Sequence, residues 1–210
     1  MLKYYFNSFI ISIYSSLIAS NNVANSGAHM SCVRIVKSML LCLSCHVLNI
    51  GLHRIESKTE KYQDVVNTNL IAPAILAREA MSSMRKRDAR GHIINISGIP
   101  GLYLEAVTVP IGMYGPSKYG LKALGIELRH EIAVAKLNIK VTTINPGFVQ
   151  SDMLQELYDY LKLPIDKFLK DTDIAETVIY VLGTPKAVEI SEITVLPQGM
   201  GSNAIAPLIH

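Results

Sequence analysis

Cysteine is scarce in this chain, with three residues, an odd number that implies no disulfide framework. Charge is scarce too, at 18% of residues and a net +3, too little to mark a nucleic-acid-binding surface. The single basic cluster, Arg85, Lys86, Arg87 and Arg90, reads best as the closing turn of a helix, where cations complement the dipole. A phosphate or localisation patch is the lesser reading. No apolar run reaches the roughly 20 residues that a membrane-spanning helix needs. The nearest, Tyr4 to Ala19, is interrupted by Asn7, Ser8, Ser12, Ser15 and Ser16. The expectation is therefore a cytoplasmic protein with no membrane and no nucleic acid as partner. Secretion or membrane association through residues 4–19 is the alternative. Internal repeats, linkers and low-complexity tracts are also missing. With 210 residues, half of them hydrophobic, the chain can bury one substantial core, so one domain is expected over residues 1–210.

Cys42-Leu43-Ser44-Cys45-His46 matches the spacing of a c-type haem attachment or a redox pair. It lies in the apolar run Met39 to Leu48 with no second ligand pair nearby, and a buried strand is the better reading. No metal is expected.

From Thr59 onward helical and strand patterns alternate, the signature of a parallel sheet with crossover helices. Thr59 is placed to cap a helix running to about Arg87, and Gly91 ends the turn after it. His92 to Ile96 reads as a buried strand, Tyr114 to Lys136 as a second long helix, and Ile139 to Ile144 as a strand ending at Asn145-Pro146-Gly147. A helix over Asp173 to Leu182 leads to a last strand, Glu192 to Leu196. Residues 1–58 do not follow this alternation.

Two polar groups interrupt otherwise apolar stripes. In the first helix Tyr62, Val65, Val66, Leu70, Pro73, Leu76, Ala77, Ala80, Met81 and Met84 keep helical spacing, and Asn69 falls among them. A buried amide must find partners, whether in a neighbouring loop or in a proton relay. Four residues on, Pro73 has no N–H to give the Asn69 carbonyl, which leaves that oxygen for water or a side chain. In the second helix Leu121, Gly125, Leu128 and Ile132 form a stripe that extends backwards onto Lys118 and Tyr114. Tyr and Lys four apart share one helical face. A phenol alone is a poor base, since a pKa near 10 leaves about one in a thousand ionised at neutral pH. A neighbouring ammonium favours the phenolate and makes the pair a usable proton donor and acceptor. The pair begins its helix at the carboxyl edge of a parallel strand, and Asn145-Pro146-Gly147 reaches the same edge, where open α/β sheets bind ligands.

These residues resemble the short-chain dehydrogenase/reductase family over roughly Thr59 to Gly199. The matching segments are Asn67-Thr68-Asn69-Leu70, Gly91 to Ser97, Tyr114-Gly115-Pro116-Ser117-Lys118 and Asn145 to Ser151. Ala77 to Ala80 and Val178 to Pro185 are similar to the branch containing farnesol dehydrogenases and the SDR family member 11-like reductases. The resemblance implies a Rossmann-like parallel sheet with helices on both faces and hydride exchange between a nicotinamide cofactor and a hydrophobic alcohol or ketone. It also implies a homodimer. The cofactor implied is NADP or NAD, with NADP slightly ahead.

Carried over by position, Tyr114 would be the acid/base, and Lys118 would assist it and hold the ribose hydroxyls. Asn69 would keep a water in the relay, and Pro146, Gly147, Val149 and Ser151 would shape the nicotinamide pocket. The stretch from Asp152 to Lys170 would cover the substrate.

The chain departs from the family in three ways. Gly98 stands where the catalytic serine is expected, which leaves Ser97 as the adjacent hydroxyl. The Thr-Gly-x-x-x-Gly-x-Gly loop is reduced to Asn25-Ser26-Gly27-Ala28-His29-Met30. The Asn-Asn-Ala-Gly segment is either echoed by Leu48-Asn49-Ile50-Gly51, with Asn49 as a cofactor contact, or deleted with its neighbouring strands. The deletion is favoured, so the sheet is expected to be incomplete in its first half. A catalytically inactive relative that serves as a dimerisation partner is the competing function.

Overall fold

The structure, a computed structural model, describes residues 57–107, 110–150 and 168–198. Within them the elements in chain order are α1 (Thr59–Val66), a π turn (Asn67–Ile71), α2 (Ala72–Lys86), β1 (Gly91–Ile96), two 3-10 turns (Ile99–Gly101 and Leu104–Ala106), α3 (Tyr114–Val134), β2 (Ile139–Pro146), α4 (Asp171–Leu182) and β3 (Glu192–Val195). The strands lie in the order β1-β2-β3 and are all parallel, with Gly91 opposite Ile139 and Thr143 opposite Glu192. This is the expected α/β sheet. Asn25 to Met30, Cys42 to His46, Asn49, Ser151 and the stretch 152–167 lie outside the described residues.

Strand alternation divides the core in two. Ile93, Ile139 and Val141 meet Ala77, Ala80, Met84, Leu128 and Ile132 of α2 and α3. Ile94, Ile96 and Ile144 point the other way, onto Ile174, Ala175, Val178 and Val181 of α4. Helices therefore cover both faces of β1 and β2, which are buried along nearly their whole length, whereas β3 is half-buried with Thr194 exposed.

The expected first helix is interrupted. Pro73 is buried, cannot donate to the Asn69 carbonyl, and in a regular helix its ring would press on that oxygen. The chain widens instead, and Ala72 N–H bonds Asn67 O across five residues. Thr59 is not the cap: Lys58 precedes the helix in extended conformation, and no side chain caps it.

Both long helices end on left-handed non-glycine residues. At the end of α2 Asp88 (φ 48°) takes this conformation, with Ala89 N–H on Met84 O at 2.9 Å. The turn therefore closes before Gly91, which is already in β1. At the end of α3 Lys136 (φ 52°) does the same, with Leu137 N–H on Ile132 O at 3.0 Å. In each case the six-residue closure satisfies carbonyls that the last turn leaves open. Arg85 and Lys86 occupy the last turn of α2, exposed as expected, and Arg87 Nε bonds Ser83 O at 3.1 Å. α4 starts two residues earlier than its sequence signals, because the Asp173 carboxylate accepts the Lys170 N–H at 2.7 Å from inside the first turn. Among the described residues no helix is long and apolar enough to cross a membrane.

Candidate active site

The carboxyl edge of the sheet collects the polar residues that broke the apolar stripes. Tyr114 is the first residue of α3 and is half-buried, whereas Lys118, one turn on, is 3% exposed. Lys118 Nζ lies 5.4 Å from the Tyr114 ring centroid and donates to Ile96 O, at the end of β1, at 3.2 Å. A buried ammonium needs such partners. The carbonyl ties α3 to the strand end and puts positive charge beside the phenol.

Asn69 is fully buried in the π turn, and its amide donates to Ser117 Oγ at 3.0 Å. Ser117 Oγ in turn donates to Tyr114 O at 2.7 Å. Asn69 therefore reaches Tyr114 through the serine, a residue that sequence reasoning passed over. Its signal was present: a hydroxyl three residues after Tyr114 shares its face and bonds back to the preceding turn. Asn69 Oδ1 is buried with no partner among the described residues, the kind of atom an ordered water satisfies.

Ser97 was expected beside the reacting oxygen. It continues β1 instead, with Ser97 N–H on Ile144 O at 2.8 Å, and its hydroxyl donates to Lys118 O at 3.2 Å. Odd-numbered residues of this strand face α3, so Ser97 meets the helix backbone one turn past Tyr114. Gly98 is the residue that faces the phenol. A Cβ there would lie 4.0 Å from Tyr114 Oη and 3.8 Å from Pro146 O, and its φ of 153° is one that side chains rarely adopt.

Pro146 ends β2, and Gly147 N–H bonds Val195 O at 2.8 Å, which aims the turn at the same edge. A Cβ on Gly147 would come within 3.0 Å of Pro197. Val149 is 7% exposed and packs into the α4 core with Leu169, bridging it in parallel. Asn145, just before this turn, is fully buried and donates to Glu192 Oε1 at 3.1 Å, and Glu192 Oε2 pairs with Lys122 at 3.4 Å.

Away from this edge, His92 is buried at the start of β1. Thr142 Oγ1 gives its one proton to Ile190 O at 2.6 Å, so the 2.7 Å contact with His92 Nε2 is a donation by the imidazole. Burial, then the charge of Lys140, lowers the His92 pKa from 6.5 to about 4, which keeps the ring neutral.

A phenol, an ammonium, a buried amide and a glycine turn thus converge at the carboxyl edge of a parallel sheet. Residues 15–161 match the family model described as short chain dehydrogenase. The chain belongs to this family. The match begins well before Thr59, the point at which resemblance can be read from the residues.

The human dehydrogenase/reductase SDR family member 11 is 36% identical over 163 residues, 71% of this chain and 61% of that protein. The mouse protein of the same name is 33% identical over 189 residues, 84% of this chain and 72% of its own. Farnesol dehydrogenase of Aedes aegypti is 34% identical over 138 residues, 65% of this chain and 54% of that enzyme. The chain thus spans less than two thirds of the human and mosquito relatives. Among solved structures, a 4-hydroxyisoleucine dehydrogenase mutant complexed with NADH and succinate superposes with a TM-score of 0.61 at 21% identity, covering 83% of this chain and 75% of that one. A β-ketoacyl-[ACP] reductase from Bacteroides thetaiotaomicron gives 0.54 at 22% identity, covering 72% and 60%. These structures share the fold.

Proposed function

We propose that this protein is an NAD(P)-dependent oxidoreductase acting on the CH–OH group of a hydrophobic alcohol, or on the corresponding ketone or aldehyde. The observation that carries the reading is the buried Lys118 ammonium, held by Ile96 O and placed 5.4 Å from the Tyr114 ring at the sheet edge.

The donor set suits a nicotinamide riboside. Lys118 would hold ribose hydroxyls, and the backbone of Pro146, Gly147 and Val149 would line the ring's pocket, with Ser151 and Asn49 as further contacts. The bound cofactor would supply or accept hydride. Tyr114 would give its phenolic proton to the substrate oxygen or take one from it, with the Lys118 charge lying where the phenolate forms. Asn69, through Ser117 and the Tyr114 carbonyl, would hold the first turn of α3 in place, and its open Oδ1 would anchor a water that returns the proton.

Gly98 leaves the reacting oxygen one hydrogen bond short of the family pattern. Losing such a donor costs about 3 kcal/mol of transition-state stabilisation in other enzymes, so slow turnover is expected. Resemblance to the mosquito enzyme makes farnesol the first substrate to try. NADP is slightly favoured over NAD. A homodimer in the cytoplasm completes the reading, and sedimentation equilibrium of the purified protein tests the assembly.

The decisive experiment titrates the protein with NADPH and NADH by cofactor fluorescence, then follows alcohol oxidation by wild type and Tyr114→Phe. Saturable binding is expected, with turnover falling at least about a hundredfold in the variant while binding is retained. A folded sample that binds neither cofactor would sink the reading.

A further inference from the structure

We infer that Tyr119 is a positioning residue for the substrate side of this site, an assignment that rests on the oxidoreductase reading. The segment from Gly98 to Leu104 lies against the first two turns of α3 with almost no clearance. A Cβ on Gly101 would fall 2.6 Å from Ser97 Oγ and 2.9 Å from Lys118 O. A Cβ on Gly115 would fall within 2.5 Å of the Leu104 side chain. These two glycines let the segment approach, but a missing side chain only permits contact. Tyr119 supplies the attachment. Its hydroxyl donates to Leu102 O at 2.6 Å and lies 3.5 Å from the Leu104 N–H, so it engages the backbone between the two 3-10 turns.

Tyr119 is 38% exposed. Water could satisfy a hydroxyl in that position, so the bond is not forced by burial. Its effect is to fix the Leu102–Leu104 backbone to the helix that carries Tyr114 and Lys118. The remaining backbone bonds of the segment are local turn closures, such as Gly101 N–H to Gly98 O at 2.9 Å and Tyr103 N–H to Ile99 O at 2.9 Å. They shape the turns without anchoring them to α3. The same segment begins at Gly98, the residue that faces Tyr114 Oη, and continues through Ile99 and Pro100. Pro100 Cδ lies 3.4 Å from the Gly98 Cβ position, so this apolar segment forms a wall beside the glycine that faces the phenol. Holding the wall at a fixed distance orients a hydrophobic alcohol with its oxygen towards Tyr114. The cofactor contacts proposed above come from other residues, so binding of substrate and of cofactor respond separately.

The test compares wild type with Tyr119→Phe, which removes only the hydroxyl. Farnesol and a panel of hydrophobic secondary alcohols serve as substrates, and NADPH fluorescence reports cofactor binding. The substrate KM is expected to rise about fivefold, the worth of roughly one hydrogen bond. NADPH affinity and the pH profile of kcat stay as in wild type. Hydrogen exchange read by mass spectrometry gives a second measure independent of turnover, with faster exchange confined to peptides covering residues 102–107. An active wild type whose Tyr119→Phe variant keeps the same KM overturns the inference and leaves the oxidoreductase reading standing. Faster exchange throughout the molecule makes Tyr119 merely structural and overturns it as well. No turnover by wild type with either cofactor removes the oxidoreductase reading, and the inference falls with it.

Discussion

Two neighbouring residues, Ser97 and Gly98, show how much a single position decides at a strand end. Ser97 has the hydroxyl but spends it on Lys118 O, while Gly98 has the outlook onto Tyr114 Oη but no side chain. His92 makes a different point. Its pKa is lowered to about 4 from 6.5, so the unfolded chain binds a proton in a range where the folded chain does not. The contribution to stability is complete above pH 6.5 and is lost as pH falls towards 4, about 3 kcal/mol over the whole interval. Urea unfolding at pH 7, 5 and 4 should show this loss, and His92→Gln should remove most of the slope.

At the scale of elements, α3 was legible and the first helix only partly so. Leu121, Gly125, Leu128 and Ile132 repeat at steps of three and four, and all are buried where the stripe puts them. The π turn left no trace in the pattern. The one-residue widening shows instead in burial, where Val65, Asn69, Pro73 and Ala77 follow at steps of four, wider than the regular period of about 3.6. With an amide at one of those positions, Asn69 and Pro73 were singled out without the geometry they impose. Gly125 belongs to the same packing. A Cβ there would sit 2.7 Å from Thr143 Oγ1 and 3.3 Å from Asn95 Nδ2, so Gly125→Val should destabilise the protein by about 1–3 kcal/mol, read as a lowered urea midpoint. The helix end offers the opposite change. Lys136 holds a left-handed conformation at φ 52°, and Lys136→Gly relieves about 1 kcal/mol of strain. Its Tm should rise by several degrees.

For the whole molecule, the alternation of strand and helix from Thr59 onward announced a parallel sheet, since apolar strands separated by long helices can pair in no other simple way. The two faces of the core follow from strand parity once β1 and β2 are in register. What could not be read were relationships across the sheet: that Glu192 of β3 holds Asn145 of β2, or that Ser117 of α3 joins Asn69 to Tyr114. Such pairs lie far apart in sequence, so local periodicity carries no record of them. Residues 1–58 gave no legible alternation, yet the family match begins inside them at residue 15.

The pairing of β1 with β2 also governs how quickly this chain can find its shape. His92 and Thr142 meet across the sheet from 50 positions apart. No strand of the described sheet has a partner reached by a short hairpin, and both joins wait on a crossover helix. The entropy of closing those loops is lost before any ladder forms. Refolding from urea should therefore take milliseconds to seconds rather than microseconds, and Val141→Ala, in the middle strand, should slow it measurably in a stopped-flow trace.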